Sequence, residues 1–201
     1  MRILAAAFLA LTLPAWAATP APSCGNLCGS WELDAGRSES ATTTLDTALL
    51  EYSEPRARRS RDASPSDTVG QIEADMERSL GPIHDRLGRA ELRAELLPML
   101  TAPQRLVLDG AGRDILIRGD NLPVRRLSPG VPHSRVDVAG TARIRCGWDA
   151  GNLKVSERYD SKRTFSETYL LQRADGSLLV MREVKRPGLK LLRLRAVYRR
   201  I

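Results

Sequence analysis

The sequence predicts a mainly β domain: an antiparallel up-and-down meander of about eight to ten strands, with two or three helices inserted after the first strand. Three observations carry this expectation. From Gln104 onward apolar residues recur with a period of two, in short runs separated by turn residues. Between Leu45 and Leu100 the spacing is instead three to four residues, as on a helix face. No alternation of strand and helix runs through the chain, which excludes a Rossmann-type parallel sheet. A meander of this size curls to protect its edges. Closure then requires the first strand, near Trp31, to meet the last, near Tyr198.

The elements follow in order. Met1–Ala17 opens with Arg2, continues as an apolar run to Leu13, is broken by Pro14 and ends in Ala15-Trp16-Ala17. That is the layout of a cleaved secretory signal peptide, too short for a membrane span, with cleavage expected before Ala18. A lipid anchor would need a cysteine directly after the apolar run, and Cys24 lies too far on. Gly29 to Asp34 reads as the first strand, and Ala35 to Thr44 as a loop. Leu45 to Tyr52 is a short helix capped from Thr43 or Thr44. Pro, Ser and Asp surround Arg56, Arg58, Arg59 and Arg61, marking an exposed loop. Val69, Ile72, Met76 and Leu80 form one helical stripe, and a second helical segment runs from Ile83 to Leu97. Pro98 and Pro103 are expected to end that region.

The strands then succeed one another. Arg105–Leu108 and Asp114–Arg118 flank the turn Asp109-Gly110-Ala111-Gly112. Leu122–Leu127 and His133–Val138 follow. In Thr141–Trp148, Ala142, Ile144, Cys146 and Trp148 share one face, with Arg143 and Arg145 on the other. Leu153, Val155, Glu157 and Tyr159 share a face after the turn at Asp149–Asn152. Thr164–Arg173 and Leu178–Lys185 come next. In Leu189–Arg199, Leu192, Leu194, Ala196 and Tyr198 face one way, and Arg193, Arg195, Val197 and Arg199 the other.

Composition bounds the function. The chain has 201 residues, 42% apolar and 4% aromatic, with a net charge of +7. Sparse aromatics leave few stacking platforms for bases, so nucleic acid is not an expected partner. The charge is uneven: Arg182 to Ile201 holds eight basic residues against Glu183, the signal segment adds one, and the remainder sums to −1. Two readings stand for Arg193, Arg195 and Arg199, joined across the sheet by Arg143 and Arg145. One is a patch for an anionic envelope component; the other is a solvated sheet face with counter-charges on neighbouring strands.

Cys24, Cys28 and Cys146 are an odd number of cysteines in an exported chain. A turn over Gly25-Asn26-Leu27 brings Cys24 and Cys28 within bridging range, leaving Cys146 as a buried free thiol on the apolar face. A bridge from either N-terminal cysteine to Cys146 is the alternative.

Motifs for chemistry are absent. There is no Gly-x-Ser-x-Gly turn, no phosphate loop and no His-Glu-x-x-His. His84 and His133 lie far from the cysteines and from each other, so no metal set is expected. Glu157 and Glu167 are placed to face each other across neighbouring strands, where Arg and Lys neighbours would neutralise them. No catalytic, cofactor or metal residues are assigned.

One resemblance stands beside this reading. Gly29-Ser30-Trp31-Glu32-Leu33-Asp34, Leu106-Val107-Leu108-Asp109-Gly110 and Trp148-Asp149-Ala150-Gly151-Asn152-Leu153-Lys154-Val155 resemble landmarks of a group of uncharacterised exported bacterial proteins of lipocalin-like, calycin-type build. Glu167-Thr168-Tyr169, Asp175-Gly176-Ser177-Leu178-Leu179-Val180 and Arg195-Ala196-Val197-Tyr198-Arg199 continue the likeness. It covers Gln104 to Ile201 and the N-terminal motif. The resemblance implies a lipocalin-like barrel in which Gly29 and Trp31 are structural, with an arginine of the last strand, Arg193 or Arg195, packing across Trp31. It implies no reaction or cofactor.

The expected organisation is a signal peptide over 1–17 and a single lipocalin-like β domain over 18–201, with a helical insertion over 45–100. The expected function is that of a periplasmic or secreted, non-catalytic binding or interaction protein of the bacterial envelope. Its partner would be a small hydrophobic ligand or an anionic envelope component. The alternative is a periplasmic enzyme whose site is assembled only in three dimensions.

Overall fold

A computed structural model describes residues 24–52, 88–137 and 140–201. The signal segment, the Arg56–Arg61 cluster, the Val69–Leu80 stripe and His84 lie outside the described residues.

Period-two alternation dictates one antiparallel sheet of ten strands, and that is what forms. The strands are β1 (Gly29–Leu33), β2 (Arg105–Ala111), β3 (Asp114–Gly119), β4 (Leu122–Leu127), β5 (His133–Asp137), β6 (Gly140–Asp149), β7 (Asn152–Tyr159), β8 (Thr164–Leu171), β9 (Leu178–Lys185) and β10 (Leu192–Arg200). Their order is β4-β3-β2-β1-β10-β9-β8-β7-β6-β5. The expected meeting of first and last strands occurs: Trp31 pairs with Arg200 and Leu33 with Tyr198. β1 also pairs with β2, so it sits mid-sheet.

The sheet curls into a half-barrel, since β4 side chains reach those of β7 and β8 across the interior. Its open seam lies between β4 and β5, which share no ladder. Two features of these strands suit edges. Pro123 has no N–H to give a neighbour. Both strands also turn an arginine inward, Arg125 and Arg135, and like charges on adjacent strands repel.

Inward residues form two apolar clusters. One holds Trp31, Leu106, Ile117, Ile144, Val155 and Tyr198 with their neighbours. The other joins the strand ends Phe165, Val184, Leu192 and Leu194 to two helices. Those helices are α1 (Ala41–Leu50) and α2 (residues 88–100). Leu45 and Leu49 of α1, with Leu92, Leu96 and Leu100 of α2, cover one end of the barrel.

Three details correct the sequence expectation. The cap of α1 is Ser40, whose side chain accepts from the Thr43 N–H, so Thr43 and Thr44 lie inside the first turn. α2 runs through Pro98 to residue 100. Proline there forfeits one late hydrogen bond, while burial of Leu96 and Leu100 and the bond from Thr101 N–H to the Leu97 carbonyl at 2.9 Å hold the last turn. Trp148 lies on the face of Ala142 and Ile144 but at the strand end, where it is 40% exposed.

The barrel floor is built around Trp31. Its Nε1 donates to the Leu27 carbonyl at 3.1 Å. The arginine packed on its ring is Arg200, 4.4 Å from the centroid, rather than Arg193 or Arg195. Arg193 and Arg195 lie farther up β10 and face solvent, while Arg200 sits opposite Trp31 in the register. Arg200 also donates to the carbonyls of Cys28 and Asn26 at 3.0 and 2.8 Å. Gly29 makes this possible: its φ is 143°, and a Cβ there would stand 2.9 Å from Arg200 Nη1. Cys24 and Cys28 are bridged across the turn with a Cα separation of 5.2 Å, and Cys146 is free and buried.

Candidate functional site: a charged cavity inside the half-barrel

Alternation that puts leucine and valine inside also carries charged residues inside when they occupy the same phase. Arg125 is in phase with Leu127, Arg182 with Val180 and Val184, Glu157 with Val155, and Glu167 with Phe165 and Tyr169. All four are buried. They line a cavity of about 820 Å³ whose wall also takes in residues of α2, β4 and β5. Arg135, Arg163, Arg186 and Glu95 complete its charged wall, and Met99, Leu122 and Phe165 supply apolar surface. The size is that of a small-molecule site.

Glu167 is the hub. Its carboxylate lies 2.5 Å from Arg125 Nη2 and 3.1 Å from Arg182 Nη2, and it accepts from the Tyr169 hydroxyl at 3.0 Å. Arg125 also donates to the Tyr169 oxygen at 2.9 Å. Arg182 Nη1 donates to the carbonyls of Leu100 and Thr101, tying α2 to the sheet. Glu157 is held by Arg135 at 3.0 Å and accepts from the Tyr159 hydroxyl at 3.0 Å, with Arg125 Nη1 at 3.7 Å. At the mouth Glu95 of α2 bridges Arg163 and Arg186, and Arg163 lies 3.9 Å over the Tyr159 ring.

Each carboxylate therefore serves two guanidinia. Burial alone would raise the Glu167 pKa, but Arg125 and Arg182 outweigh it and hold the carboxyl below its ordinary range. Burial opposes the charge on Arg125 too, and Glu167, Tyr169 and Glu157 overcome it. Burial pushes the Tyr169 hydroxyl up, so it remains a donor. The Nε atoms of Arg125, Arg163 and Arg182 are buried with no hydrogen-bond partner. Among the described residues the wall carries five guanidinia against three carboxylates, an excess of positive charge in a confined space. Such a wall has the charge to pair with an anionic group.

Glu157 and Glu167 do not stand directly opposite each other as expected: Glu167 pairs with Val155 and Glu157 with Phe165. The two carboxylates are diagonal neighbours on the inner face, where arginines do neutralise them. Sequence reading missed Arg125, Arg135, Arg163 and Arg182. The signal was present, since each of Arg125 and Arg182 breaks an apolar phase. Arg143 and Arg145 lie outside on β6. Arg193 and Arg199 lie outside on β10, paired with Glu183 at 2.7 Å and with Glu32. Arg195 is exposed there, its backbone N–H donating to Glu39. His133 stands at the start of β5. Among the described residues no three His, Cys, Asp or Glu side chains group as a metal site.

No family model matches the chain, and no curated protein matches it. Among solved structures it is similar to the REP1-NXSQ fatty acid transporter, with 12% identity and a TM-score of 0.44, over 88% of this chain and 96% of the other. It is similar to a fatty acid-binding protein from brain tissue of Drosophila melanogaster, with 11% identity and a TM-score of 0.41, over 85% and 95%. A secretory abundant heat soluble protein of Ramazzottius varieornatus gives 14% identity and a TM-score of 0.43, over 87% and 94%.

Proposed function

We propose that the protein is an exported, non-catalytic binding protein of the bacterial envelope that holds a small amphiphile in the half-barrel. The ligand has an apolar body and one anionic group. The observation that carries this reading is the excess of guanidinia over carboxylates in the cavity wall, where Arg125, Arg135, Arg163, Arg182 and Arg186 stand against Glu95, Glu157 and Glu167. An anionic head completes that pairing, while Phe165, Leu122 and Met99 accept the apolar part. The signal-like start and the Cys24–Cys28 bridge support export. N-terminal sequencing of the protein from its native host should begin at Ala18.

The test is calorimetric titration with a long-chain alkyl carboxylate and with the alcohol of the same length. Hydrogen bonds to charged groups contribute about 1.5–3 kcal/mol, so the carboxylate should bind roughly ten- to a hundredfold tighter. Equal affinities, or no binding of either, would overturn the proposal.

A further inference from the structure

A second cavity, of about 770 Å³, lies on the outer face of β6, β7 and β8. Arg143 and Arg145 of β6, Arg158 of β7 and Lys162 of the β7–β8 turn point into it and are exposed. Arg143 and Arg158 are direct register partners. Like charges so placed cost stability, and nothing compensates them: among the described residues none of the four takes part in an ion pair. Of the lining carboxylates, Glu157 is held inside by Arg135, which leaves Asp160. Other surface cations of the sheet do have carboxylate partners, as in Arg118–Asp109, Arg126–Asp114 and Arg193–Glu183. Those without one, such as Arg105, Lys185 and Arg195, are not gathered around one groove. Lys162 has φ 62°, a left-handed conformation that favours glycine, yet the position carries a charged side chain.

Two observations say what kind of partner this face fits. First, the β7–β8 turn is the partition between the two cavities. Ser161 and Arg163 line the interior site, while Asp160 and Lys162 line the outer groove. The basic groove therefore borders the mouth of the interior cavity. Second, the two strands flanking the seam carry outward valines, Val124 of β4 at 66% exposure and Val136 of β5 at 78%. Val136 pairs with Thr141, whose carbonyl accepts from the Asp160 N–H, so it stands at the same end. Cations beside an exposed apolar side chain, Val136, at one rim are the composition of an interfacial surface.

We propose that this face docks on an anionic phospholipid bilayer. Arg143, Arg145, Arg158 and Lys162 engage lipid phosphates, Val136 reaches the acyl boundary, and the mouth of the interior cavity meets the lipid. A sugar polymer or nucleic acid is disfavoured because the outward side chains of the groove include no aromatic ring to stack on. Docking goes beyond the binding reading above. It depends on outer charges and is measured with no ligand present, so its failure leaves that reading untouched.

The experiment is co-sedimentation of the full chain with vesicles of phosphatidylcholine alone or mixed with phosphatidylglycerol. The comparison includes two charge-matched variants, Arg143→Gln/Arg145→Gln/Arg158→Gln and Arg193→Gln/Arg195→Gln/Arg199→Gln. Binding is expected only with phosphatidylglycerol and should fade as salt rises. Each lipid-facing arginine should be worth about fivefold, so the first variant should bind roughly a hundredfold more weakly. The second should bind as the unaltered protein does. Far-UV circular dichroism verifies that both variants fold. Equal losses in the two variants would mean that net charge alone acts, and would overturn the proposal. An unchanged first variant, or binding to an acidic polysaccharide but not to vesicles, would overturn it as well.

Discussion

The substitution Glu167→Gln tests the charged interior directly. The amide preserves shape and one acceptor but removes the carboxylate shared by Arg125 at 2.5 Å and Arg182 at 3.1 Å. Removing one partner of a buried ion pair costs about 3–5 kcal/mol. Two guanidinia lose their counter-ion here, but each keeps other partners. Arg182 still donates to the Leu100 and Thr101 carbonyls, and Arg125 retains Tyr169 and the more distant Glu157. The lower end, about 3 kcal/mol, is therefore expected. For a domain of this size that is roughly 6–12 °C in Tm, read by thermal denaturation at pH 7. The sign of the pH dependence follows from the depressed Glu167 pKa. The stabilisation is fully present above the unfolded carboxyl value of about 4.3 and is lost as pH falls through the lower folded value. The gap between the two proteins should therefore narrow in acid. The same variant leaves the cavity more positive, so it should bind an alkyl carboxylate more tightly while being less stable. A loss below about 1 kcal/mol at pH 7, or a gap constant with pH, would refute the bridging role.

Three other outcomes are expected. Gly29→Ala forces a side chain onto φ 143° and against Arg200, and should lower stability by about 1–3 kcal/mol in urea unfolding. Burial, opposed by Arg125, pushes the Cys146 thiol up to about 11 from an ordinary 9.0, so native protein at pH 8 should react with a disulfide reagent roughly a hundredfold more slowly than unfolded protein. Replacing both Cys24 and Cys28 by alanine opens a short loop and should cost about 2 kcal/mol, with non-reducing peptide mapping of the unaltered chain returning those two cysteines joined.

The strands were legible because a period of two is a local signal. The faces of β6, β7 and β10 are those the alternation predicts, down to Glu157 in phase with Val155 and Tyr159. What was not legible depends on register, which is non-local. The choice of Arg200 over Arg193 or Arg195 for the Trp31 ring follows from how β1 lies on β10, and nothing within either strand encodes that offset. The seam between β4 and β5 was hidden for the same reason, although Pro123 marks β4 as suited to an edge. Pro98 misled because burial of Leu96 and Leu100 outweighs the lost backbone bond. For the cavity, the sequence shows that Arg125 and Arg182 are inward but not that Glu167 stands between them. Glu167 and Arg182 are register partners on the consecutive strands β8 and β9, but Arg125 reaches them from β4, far away in the chain and across the interior.

A half-barrel selected for stability alone has little use for this arrangement. Desolvating two guanidinia and a carboxylate costs more than well-packed apolar side chains of similar volume would, and such replacements are neutral or stabilising by about 1–4 kcal/mol in general. The triple variant Arg125→Met/Glu167→Leu/Arg182→Met separates the two explanations. If the cluster serves only to tie α2 to the sheet through Arg182, the variant should lose the α2 contacts to the Leu100 and Thr101 carbonyls and unfold more easily. If the cluster is retained for a ligand, the variant should fold with unchanged or higher Tm and lose its preference for an alkyl carboxylate over the matched alcohol. The second outcome is expected: Leu92, Leu96 and Leu100 already fix α2 against Phe165, Val184 and Leu192, and burial of those side chains is the larger stabilising contribution. A variant that keeps the full preference for the carboxylate would show that the head group is read elsewhere, and would remove the reason for placing it among these arginines.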